Sequence, residues 1–389
     1  YQNSGAFKYK IDLQNIYELS SYLGDPHTKL KTIHVGGTNG KGSTSHILSS
    51  ILQEAGYRVG LYTSPHLKDF RERIKINADC ITKDNVINFI ESHKDYLEVN
   101  KLSFFEMTVG MAFDYFKNQE VDIAIIEVGM GGRLDSTNIV DPEISVITNI
   151  GLDHTKFLGN SLLEIASEKG GIIKKRKTII IGETQDELVD VFINKAKELN
   201  SKIIFADQQK TYNYTSDLKG SYQKKNIQTA TCAIRELQKS NWSISEESII
   251  SGLLKVEINT GFIGRWTVLN KIPLTICDTA HNSEGLKIVI NDILALNFSK
   301  IHFVIGFVND KSLELIVDLF PKNANYYFCK PNIERGLDSR ELKSIFESKS
   351  RYGTAYESVE EAYNSAKDNS SNNNLIYIGG STFVVSEII

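Results

Sequence analysis

Gly36-Gly37-Thr38-Asn39-Gly40-Lys41-Gly42-Ser43 is the stretch on which the prediction of the fold depends. It follows an apolar run at residues 32–35 and precedes a helix-like stretch at residues 44–54. Successive glycines let backbone N–H groups face phosphate oxygens, a lysine can reach the terminal phosphates, and a hydroxyl at the start of a helix can bind Mg²⁺. The stretch departs from the usual G-x-x-x-x-G-K-[ST] pattern because Gly42 separates Lys41 from Ser43. We interpret it as a nucleotide-binding turn, and a purely structural turn is the alternative.

The length and composition limit the class of protein. With 389 residues the chain favours two domains, and 41% hydrophobic and 24% charged residues are ordinary for a soluble globular enzyme. No apolar run is as long as a membrane span, and the formal net charge of -4 gives no support for binding to nucleic acid. Four widely spaced cysteines form no C-x-x-C pair, and no leader segment is visible. We therefore expect a cytoplasmic protein with no membrane or nucleic-acid partner.

Apolar strands alternate with amphipathic helical stretches along the chain. The first series of predicted strands lies at residues 32–35, 59–62, 121–128, 144–149, 178–182 and 202–205. A helix is predicted at residues 218–237, a turn-rich link near 259–264, and a second series of strands at 274–277, 301–306, 326–329 and 375–378, with a polar loop at 369–374. This alternation predicts an α/β protein, with a P-loop doubly wound sheet domain over residues 1–260 and a smaller Rossmann-like α/β domain over residues 261–389.

Polar residues follow two further strands of the first series. Glu127 stands near the end of an apolar run and precedes a glycine-rich loop, and His154 follows the strand predicted at residues 144–149. Because open parallel sheets bind ligands beyond the carboxyl ends of their strands, both residues are candidate metal ligands. For Glu127 the alternatives are a turn cap or an ion pair with Arg133, and for His154 a structural or surface position. Lys169 precedes two glycines and an apolar strand, and its chemistry alone favours a solvated lysine.

Several short segments, taken in chain order, form a specific set. They are residues 37–43, Thr63-Ser64-Pro65-His66-Leu67, Phe104-Phe105-Glu106, residues 127–138, 149–154 and 168–174, the spaced set Leu218, Gly220, Gln223 and Asn226, then Gly264-Arg265-Trp266, Asp278-Thr279-Ala280-His281-Asn282, and Gly379-Gly380-Ser381. Together they resemble folylpolyglutamate synthase/dihydrofolate synthase, of the Mur ligase superfamily, over nearly the whole chain. The sequence departs from the family pattern at Thr279, where glycine is usual, and at Ser283, where proline is usual.

The resemblance implies ATP-dependent formation of an amide bond between L-glutamate and dihydropteroate, a folate or both. A carboxylate does not acylate an amine unaided because its leaving group would be oxide, so transfer of the γ-phosphoryl group of ATP is expected to give an acyl phosphate. The glutamate amine then attacks, and the developing negative charge needs nearby cations. The resemblance further implies Mg²⁺ as the cofactor, ATP bound between the domains, small-molecule partners and, as in many relatives, a monomer.

The resemblance also implies roles for individual residues. The ATP-binding residues would be Gly37, Thr38, Asn39, Gly40, Lys41, Gly42 and Ser43, with Asn226 at the adenine, Arg265 at a phosphate and Asp278 at the ribose or elsewhere on the nucleotide. The metal ligands would be Ser43, Glu127 and His154, and the catalytic residues would be Lys41, His154 and Lys169. In many relatives the lysine that matches Lys169 carries a carbamate formed from CO₂. Glutamate would be held by His281 and Ser381. The alternatives are an exposed salt bridge for Arg265 and a helix cap for Asp278.

A pterin site is implied at the loop ends of the first domain. Its residues would be Ser64, Pro65, His66, Phe104, Phe105 and Asp135, with Phe70 and Arg71 adding an aromatic face and a base. Without the resemblance, an aromatic pair is more often part of a core than a ligand platform. Two other functions stay open: another Mur-type ligase acting on a cell-wall precursor, and a nucleotide-binding regulator that does not catalyse ligation.

Overall fold

The computed structural model describes residues 12–309 and 313–389 of the chain. Its strands are β1 (Thr32–Gly36), β2 (Val59–Tyr62), β3 (Ile74–Ile76), β4 (Asp79–Cys80), β5 (Ile123–Glu127), β6 (Ile144–Ile147), β7 (Thr178–Ile181), β8 (Lys202–Phe205), β9 (Thr267–Lys271), β10 (Leu274–Asp278), β11 (Ile301–Ile305), β12 (Asn325–Phe328), β13 (Gly353–Ala355) and β14 (Leu375–Gly379). Its α-helices are α1 (Gln14–Tyr22), α2 (Lys41–Glu54), α3 (Lys83–Val99), α4 (Phe104–Asn118), α5 (Thr155–Leu158), α6 (Leu162–Gly170), α7 (Val189–Glu198), α8 (Gln223–Gln238), α9 (Glu246–Leu254), α10 (Val256–Thr260), α11 (Ser283–Ala295), α12 (Glu314–Val317), α13 (Ser339–Glu347), α14 (Val359–Asp368) and α15 (Thr382–Ser386).

Contacts divide the described residues into two compact units. The first unit contains residues 12–217 and 223–262, and the second unit contains residues 218–222, 263–309 and 313–389. The chain therefore joins the second unit briefly, at residues 218–222, before it returns to the first. The domain boundary at residue 260 stays a prediction, because units defined by contacts need not fold or act independently.

The first unit is built around an eight-stranded mixed sheet with the order β4-β3-β2-β5-β1-β6-β7-β8. The six strands from β2 to β8 in this order are parallel, and β3 and β4 form an antiparallel edge. Every residue of β1, β2, β5 and β6 is buried, as expected of a parallel sheet that is covered on both faces. The register pairs Val35 with Glu127 and Gly36 with Ile147, so the carboxyl ends of β1, β5 and β6 lie side by side.

The second unit contains a six-stranded sheet with the order β13-β12-β11-β14-β10-β9, parallel except for β9. Its core is rich in aromatic rings, and the rings of Phe303 and Tyr326 stack with their centroids 5.5 Å apart. The prediction of an α/β protein is confirmed. The antiparallel edge strands were not predicted because β3 and β4 are very short and β9 is largely exposed.

Some elements differ from their predictions. α8 begins at Gln223 rather than at residue 218, after Gly220 with a φ of +92° in the left-handed region. α10 extends to Thr260, where the sequence predicted a turn-rich link. α6 ends at Gly170, and turns rather than a strand follow Lys169 until β7 begins. The polar loop predicted at residues 369–374 is confirmed. Across residues 12–309 and 313–389, no helix has both the length and the apolar character needed to span a membrane.

Candidate active site

The glycine-rich turn joins β1 to α2 in a conformation that requires glycine at two positions. Gly37 has a φ of +136° and Gly40 a φ of +83°, which other residues rarely adopt. A β-carbon at Gly37 would lie 1.9 Å from Thr148 Oγ1, and one at Gly40 would lie 2.3 Å from Asn226 Oδ1. α2 begins at Lys41, earlier than the predicted residue 44. The strand, turn and helix of a phosphate-binding turn are therefore present, and neighbouring side chains lie close against its backbone.

The loop after β6 holds this turn in shape. Asn39 N donates to Asn149 Oδ1 at 2.9 Å, and Thr148 Oγ1 donates to Asn39 O at 2.6 Å. Thr38 N donates to Asn149 O at 2.9 Å, and Gly151 N donates to Thr38 Oγ1 at 2.9 Å. The turn is thus preorganised by the neighbouring strand end, which suits an anion site made of backbone N–H groups.

Two lysine amines converge on the turn. Lys41 Nζ donates to Gly37 O and Thr38 O, both at 3.1 Å, and Lys169 Nζ donates to Gly37 O at 2.7 Å. Lys169 is 4% exposed. Burial, and next the nearby charge of Lys41, lower the pKa of Lys169 to about 7. The interpretation of Lys169 as a solvated lysine is therefore wrong, and a substantial part of its amine is neutral near neutral pH.

The Glu127 carboxylate lies beside the turn at the end of β5. Glu127 is 4% exposed, and its Oε2 accepts a hydrogen bond from Ser64 N at 3.1 Å. A β-carbon added to Gly42 would lie 3.8 Å and 3.9 Å from the two carboxylate oxygens. Arg133, the alternative ion-pair partner in the sequence, pairs with Glu168 at 2.8 Å. The two buried carboxylate oxygens of Glu127 therefore lie beside Gly42, the residue before Ser43, whose hydroxyl is a predicted metal ligand.

His154 lies in the loop after β6 with an unusual backbone conformation. Its φ is +52°, in the left-handed region, and the residue is exposed. His154 N donates to Asp153 Oδ1 at 2.9 Å. Within the described parts of the chain, no cluster of three or more His, Cys, Asp or Glu side chains suits a metal ion. The predicted set needs only Glu127 and His154 of these types, besides the Ser43 hydroxyl, so His154 as a metal ligand stays a prediction.

The loop between β2 and β3 carries the predicted pterin segment. The Glu72 carboxylate accepts hydrogen bonds from three consecutive backbone N–H groups at residues 67–69, at 2.7 to 3.1 Å. The loop begins with a cis peptide bond between Ser64 and Pro65. Since Ser64 N donates to Glu127, the predicted pterin segment and a predicted metal ligand meet at this edge of the sheet.

Arg73 is the buried base of this loop, and it was not among the predicted site residues. Arg73 Nε donates to His66 Nδ1 at 2.8 Å, and its guanidinium carbon lies 5.3 Å from the centre of the Phe104 ring. Burial, and next the charge of Arg73, lower the pKa of His66 to about 4, so His66 is neutral with its proton on Nε2. Arg71, the base predicted from the sequence, pairs instead with Asp69 at 2.7 Å. The one feature of the sequence that could have indicated the burial of Arg73 is its position directly before the strand at residues 74–76.

Phe104 and Phe105 begin α4 at the edge of the core. The Phe104 ring lies 5.7 Å from the Phe70 ring, and the Phe105 ring lies 6.3 Å from the Tyr62 ring. A β-carbon at Gly129 would lie 2.4 Å from Phe105 Cζ, so this ring also covers the glycine-rich loop after β5. Phe105 is partly buried against the hydrophobic core. Part of the ring therefore packs in the core, and its contact with a pterin stays a prediction.

Asp135 shapes the loop after β5. Its carboxylate accepts hydrogen bonds from Met130 N at 2.9 Å, from Thr137 N at 3.0 Å and from the Thr137 hydroxyl. His34 Nε2 lies 2.8 Å from Thr137 Oγ1, and His34 is the donor because that hydroxyl gives its proton to Asp135. Burial raises the pKa of Asp135. These bonds engage Asp135 within its own loop, and a contact with the pterin stays a prediction.

The start of α8 reaches the glycine-rich turn. Asn226 Nδ2 donates to Gln223 Oε1 at 2.8 Å, and Gln223 Nε2 donates to Ser43 Oγ at 3.3 Å. Asn226 also lies against Gly40, as described above. The structure thus brings Asn226 to the turn, while its contact with adenine stays a prediction. Gln223, predicted only as part of a motif, is a further polar residue at this turn.

In the second unit, Asp278 ends β10 as the acceptor of three hydrogen bonds. Its Oδ2 accepts from Tyr222 Oη at 2.6 Å and from Trp266 N at 2.8 Å, and its Oδ1 accepts from Ala280 N at 2.8 Å. Asn282, not Asp278, is the N-cap of α11, so the helix-cap alternative is wrong.

Arg265 stands in the turn before β9. Its Nη1 is buried and has no hydrogen-bond partner among the described residues. A guanidinium in this state suits an anion such as phosphate. The role of Arg265 at the nucleotide stays a prediction.

The two predicted glutamate residues follow neighbouring strands, because β10 and β14 pair in parallel. His281 Nδ1 lies 3.0 Å from Thr279 O, and Ser381 Oγ accepts from Phe383 N at 3.2 Å as the N-cap of α15. The loops that carry them therefore emerge at the same edge of the second sheet. Their contact with glutamate stays a prediction.

Two family models and several curated proteins match most of the chain. Residues 35–272 match the Mur ligase middle domain, and residues 264–382 match the Mur ligase, glutamate ligase domain. The chain is 34% identical over 397 residues to the dihydrofolate synthase/folylpolyglutamate synthase of Buchnera aphidicola subsp. Acyrthosiphon pisum, across 98% of this chain and 95% of that protein. It is 32% identical over 413 residues to the probable bifunctional folylpolyglutamate synthase/dihydropteroate synthase of Haloferax volcanii, across 98% of this chain and 48% of that longer protein.

Solved structures have the same fold. E. coli FolC in complex with DHPP and ADP has a TM-score of 0.86 at 27% identity, over 100% of this chain and 94% of that one. A bifunctional folylpolyglutamate synthase/dihydrofolate synthase with Mn, AMPPNP and L-glutamate bound has a TM-score of 0.85 at 27% identity, over 98% and 94% of the two chains. Both structures thus hold an adenine nucleotide, and the second also holds Mn and L-glutamate.

Proposed function

Because this chain belongs to the Mur ligase family and is an ATP-dependent C–N ligase of the dihydrofolate synthase/folylpolyglutamate synthase group, we propose that it activates a pterin-bearing carboxylate at the carboxyl edge of the first unit's sheet and joins L-glutamate to it. One observation carries the proposal. The amines of Lys41 and Lys169 and the carboxylate of Glu127 converge on the glycine-rich turn, next to the loop that bears His66 and Arg73. ATP is the cosubstrate, and the metal is Mg²⁺.

The donor set beside the turn fits Mg²⁺. Glu127 supplies a buried carboxylate next to Gly42, and Ser43 supplies a hydroxyl one residue further along. Mg²⁺ takes oxygen ligands, keeps several waters and is usually bound by only one or two carboxylates together with substrate phosphates. Ser43 and Glu127 would therefore hold it, with His154 as the further ligand that we propose. When bound, Mg²⁺ neutralises charge on the phosphate oxygens.

The turn and Lys41 serve the first chemical step. The γ-phosphoryl group moves from ATP to the substrate carboxylate, which releases ADP and leaves an acyl phosphate. Backbone N–H groups of residues 40–43 and the Lys41 ammonium stabilise the charge on the phosphoryl oxygens. Because Lys41 Nζ is already held by two carbonyls of the turn, little reorganisation is needed when phosphate binds.

The second step forms the amide. The glutamate amine attacks the acyl carbon, inorganic phosphate leaves, and the nitrogen gives up a proton. We propose that His281 and Ser381 hold the glutamate, since their loops leave the same edge of the second sheet. We propose that Arg265 binds a phosphate of the nucleotide, which the state of its buried Nη1 supports.

We propose that the pterin binds against the loop between β2 and β3. Phe104 and Phe105 offer ring faces, and the neutral His66, whose Nδ1 accepts from the buried Arg73, offers an Nε2–H donor. Aromatic faces with a few polar groups suit a flat heterocycle. Asp135 is the weakest member of the predicted set because its own loop engages its carboxylate.

We expect Phe105→Ala to raise KM for the pteroate substrate more than KM for ATP. The change removes a ring at the edge of the proposed pterin site, about a few kcal/mol of contact at most, and leaves the glycine-rich turn intact. Steady-state kinetics with each substrate varied in turn measures the two constants. Equal changes in both would support a role of Phe105 in the core alone.

Tyr115→Ala is the matched control for this prediction. Tyr115 lies on the same helix as Phe105, and both are partly buried aromatic residues packed against the same core cluster. Loss of a ring from the core alone should therefore act through stability in both variants. Only Phe105→Ala is expected to change the ratio of the two KM values.

The function is tested by ATP- and Mg²⁺-dependent incorporation of labelled L-glutamate, with dihydropteroate and tetrahydrofolate offered separately and the products resolved by mass. Product with both acceptors would establish a bifunctional enzyme, and product with one would restrict it to a single step. ATP binding with no product from either acceptor would favour another Mur-type ligase. We further propose that the protein acts as a monomer in the cytoplasm, where its four free cysteines would stay reduced.

A further inference from the structure

Tyr222 and Gln223 are neighbours in the chain, yet their side chains form hydrogen bonds in different units. Tyr222 is the last residue of the short segment, residues 218–222, that belongs to the second unit, and its hydroxyl donates to Asp278 Oδ2 at 2.6 Å. Gln223 is the first residue of α8 in the first unit, and its Nε2 donates to Ser43 Oγ at 3.3 Å. Two residues joined by one peptide bond therefore contact Asp278 and Ser43, each of which is predicted to bind the nucleotide.

In the second unit, Tyr222 acts on the turn that carries Arg265. The Asp278 oxygen that accepts its hydroxyl also accepts Trp266 N at 2.8 Å, so one carboxylate atom ties Tyr222 to the residue after Arg265. Thr279 N donates to Gly264 O at 3.0 Å and closes the other side of the turn. These hydrogen bonds hold the backbone on both sides of Arg265, at Gly264 and at Trp266.

The local backbone is built for this contact. Gly220 has a φ of +92°, and a β-carbon there would lie 2.6 Å from Cε1 of the Tyr222 ring. Ser221 N donates to the Asp292 carboxylate at 2.7 Å, which holds the segment against α11. Burial, and next the Asp278 charge, raise the pKa of Tyr222 well above its ordinary value, so its hydroxyl keeps its proton.

In the first unit, Gln223 orients the hydroxyl of Ser43. Gln223 Oε1 accepts from Asn226 Nδ2 at 2.8 Å, so the amide nitrogen is the atom that faces Ser43. Since Ser43 Oγ accepts this hydrogen bond, the hydroxyl has a preferred direction before a ligand arrives. Asn226 in turn lies against Gly40, which fixes the first turn of α8 on the glycine-rich turn.

We propose that Tyr222 and Gln223 are positioning residues for the nucleotide, Tyr222 by fixing the Arg265 turn through Asp278 and Gln223 by orienting the Ser43 hydroxyl. The proposal rests on the proposed function of Arg265 and Ser43. It assigns to one short stretch of chain the placement of a phosphate-binding group in each unit.

The test is equilibrium binding of ADP in the presence of Mg²⁺. Tyr222→Phe removes one hydrogen bond to a carboxylate, so we expect the Kd for ADP to rise about tenfold while the Kd for the pteroate substrate stays unchanged. Gln223→Leu should raise the Mg²⁺ concentration needed for half-maximal ADP binding. Gly220→Ala, which displaces the Tyr222 ring but keeps its hydroxyl, should weaken ADP binding in the same direction as Tyr222→Phe.

Two matched controls come from the same chain. Tyr214 Oη donates to Glu246 Oε1 at 2.6 Å, so Tyr214→Phe removes the same kind of bond away from the nucleotide residues. Gln228 lies on α8 with Gln223, and its Nε2 donates to Ala206 O at 2.9 Å. Tyr214→Phe and Gln228→Leu are expected to bind ADP like the wild-type protein.

Wild-type ADP affinity in Tyr222→Phe and a wild-type Mg²⁺ requirement in Gln223→Leu would overturn the proposal. So would parallel losses of ADP and pteroate binding that follow a fall in Tm, because they would show a role in stability alone. Failure of the proposed function is recognised separately: the wild-type protein would then bind ADP but make no glutamyl product.

Discussion

Replacing Lys169 with alanine is expected to lower kcat/KM for glutamate ligation by at least about 10³-fold. The variant loses a buried amine whose Nζ donates to Gly37 O at 2.7 Å, on the backbone of the proposed phosphate-binding turn. Lys169 is 4% exposed, and alanine offers no group that could replace its amine. Steady-state rates at saturating ATP and Mg²⁺ measure the effect, and wild-type rates in Lys169→Ala would defeat the assignment.

The surroundings of Lys169 favour the modification by CO₂ that the family resemblance implies. Burial and the nearby Lys41 lower its pKa from 10.5 to about 7. CO₂ adds to the neutral amine and gives a carbamate with release of a proton. The carbamate is an anion. The repulsion between the Lys41 ammonium and a protonated Lys169, which both lie beside Gly37 O, is therefore replaced by attraction between Lys41 and the carbamate. Carbamylation of Lys169 is therefore our proposal for the active state.

The lowered pKa also gives the direction of the pH dependence. The neutral fraction of the Lys169 amine grows as the pH rises through about 7, whereas an ordinary lysine would need a pH near 10.5. Rates should therefore increase with pH through this range and fall when bicarbonate and dissolved CO₂ are removed from the buffer. Rates that do not respond to bicarbonate would show that the amine acts unmodified.

Lys75→Ala is the matched control for Lys169→Ala. Lys75 is 5% exposed, and its Nζ donates to Thr260 O at 2.7 Å, which is the same kind of bond at the same length. Both variants remove a buried lysine from the first unit, but only Lys169 contacts the glycine-rich turn. We expect Lys75→Ala to lower the free energy of unfolding without the loss of about 10³-fold in rate. Parallel losses of rate and stability in both variants would make Lys169 a structural residue.

Features that depend on neighbouring residues could be predicted from the sequence. The glycine-rich turn is one, because Gly37 and Gly40 adopt backbone conformations that other residues rarely take. The end of β5 is another, because an apolar run that stops at a carboxylate is a local pattern, and Glu127 does lie beside the turn. The alternation of strands and helices likewise predicted the α/β class.

Features that depend on distant contacts could not be predicted from local pattern. Lys169 is buried and contacts Gly37, which is far away in the chain, so its chemistry alone favoured the wrong interpretation. Arg73 and Arg71 are indistinguishable in type, and only the fold pairs one with His66 and the other with Asp69. Long-range packing decides which of two equivalent charges is buried.

Replacing Glu127 with glutamine is expected to lower kcat/KM by about 10³-fold, which corresponds to ~4 kcal/mol of transition-state stabilisation. Glutamine has the same shape, and its carbonyl oxygen can still accept the hydrogen bond from Ser64 N at 3.1 Å. What the variant loses is the negative charge that a hard divalent cation needs. The Kd for ADP is measured with Mg²⁺ and with a chelator. A loss of affinity seen only with Mg²⁺ would result from the lost negative charge, whereas a loss seen under both conditions would result from a change in the shape of the site.

Glu106→Gln is the matched control, because Glu106 is also 4% exposed and its Oε2 accepts a hydrogen bond from a backbone N–H, that of Ser103, at 2.7 Å. Both substitutions remove a buried carboxylate charge while keeping an acceptor oxygen. If Glu127 is a metal ligand, only Glu127→Gln should lose the increase in ADP affinity that Mg²⁺ produces, and the two variants should bind ADP equally with the chelator present. Full Mg²⁺ dependence in Glu127→Gln would leave Glu127 with a purely structural role at Ser64, and the metal would have to be held by other oxygens.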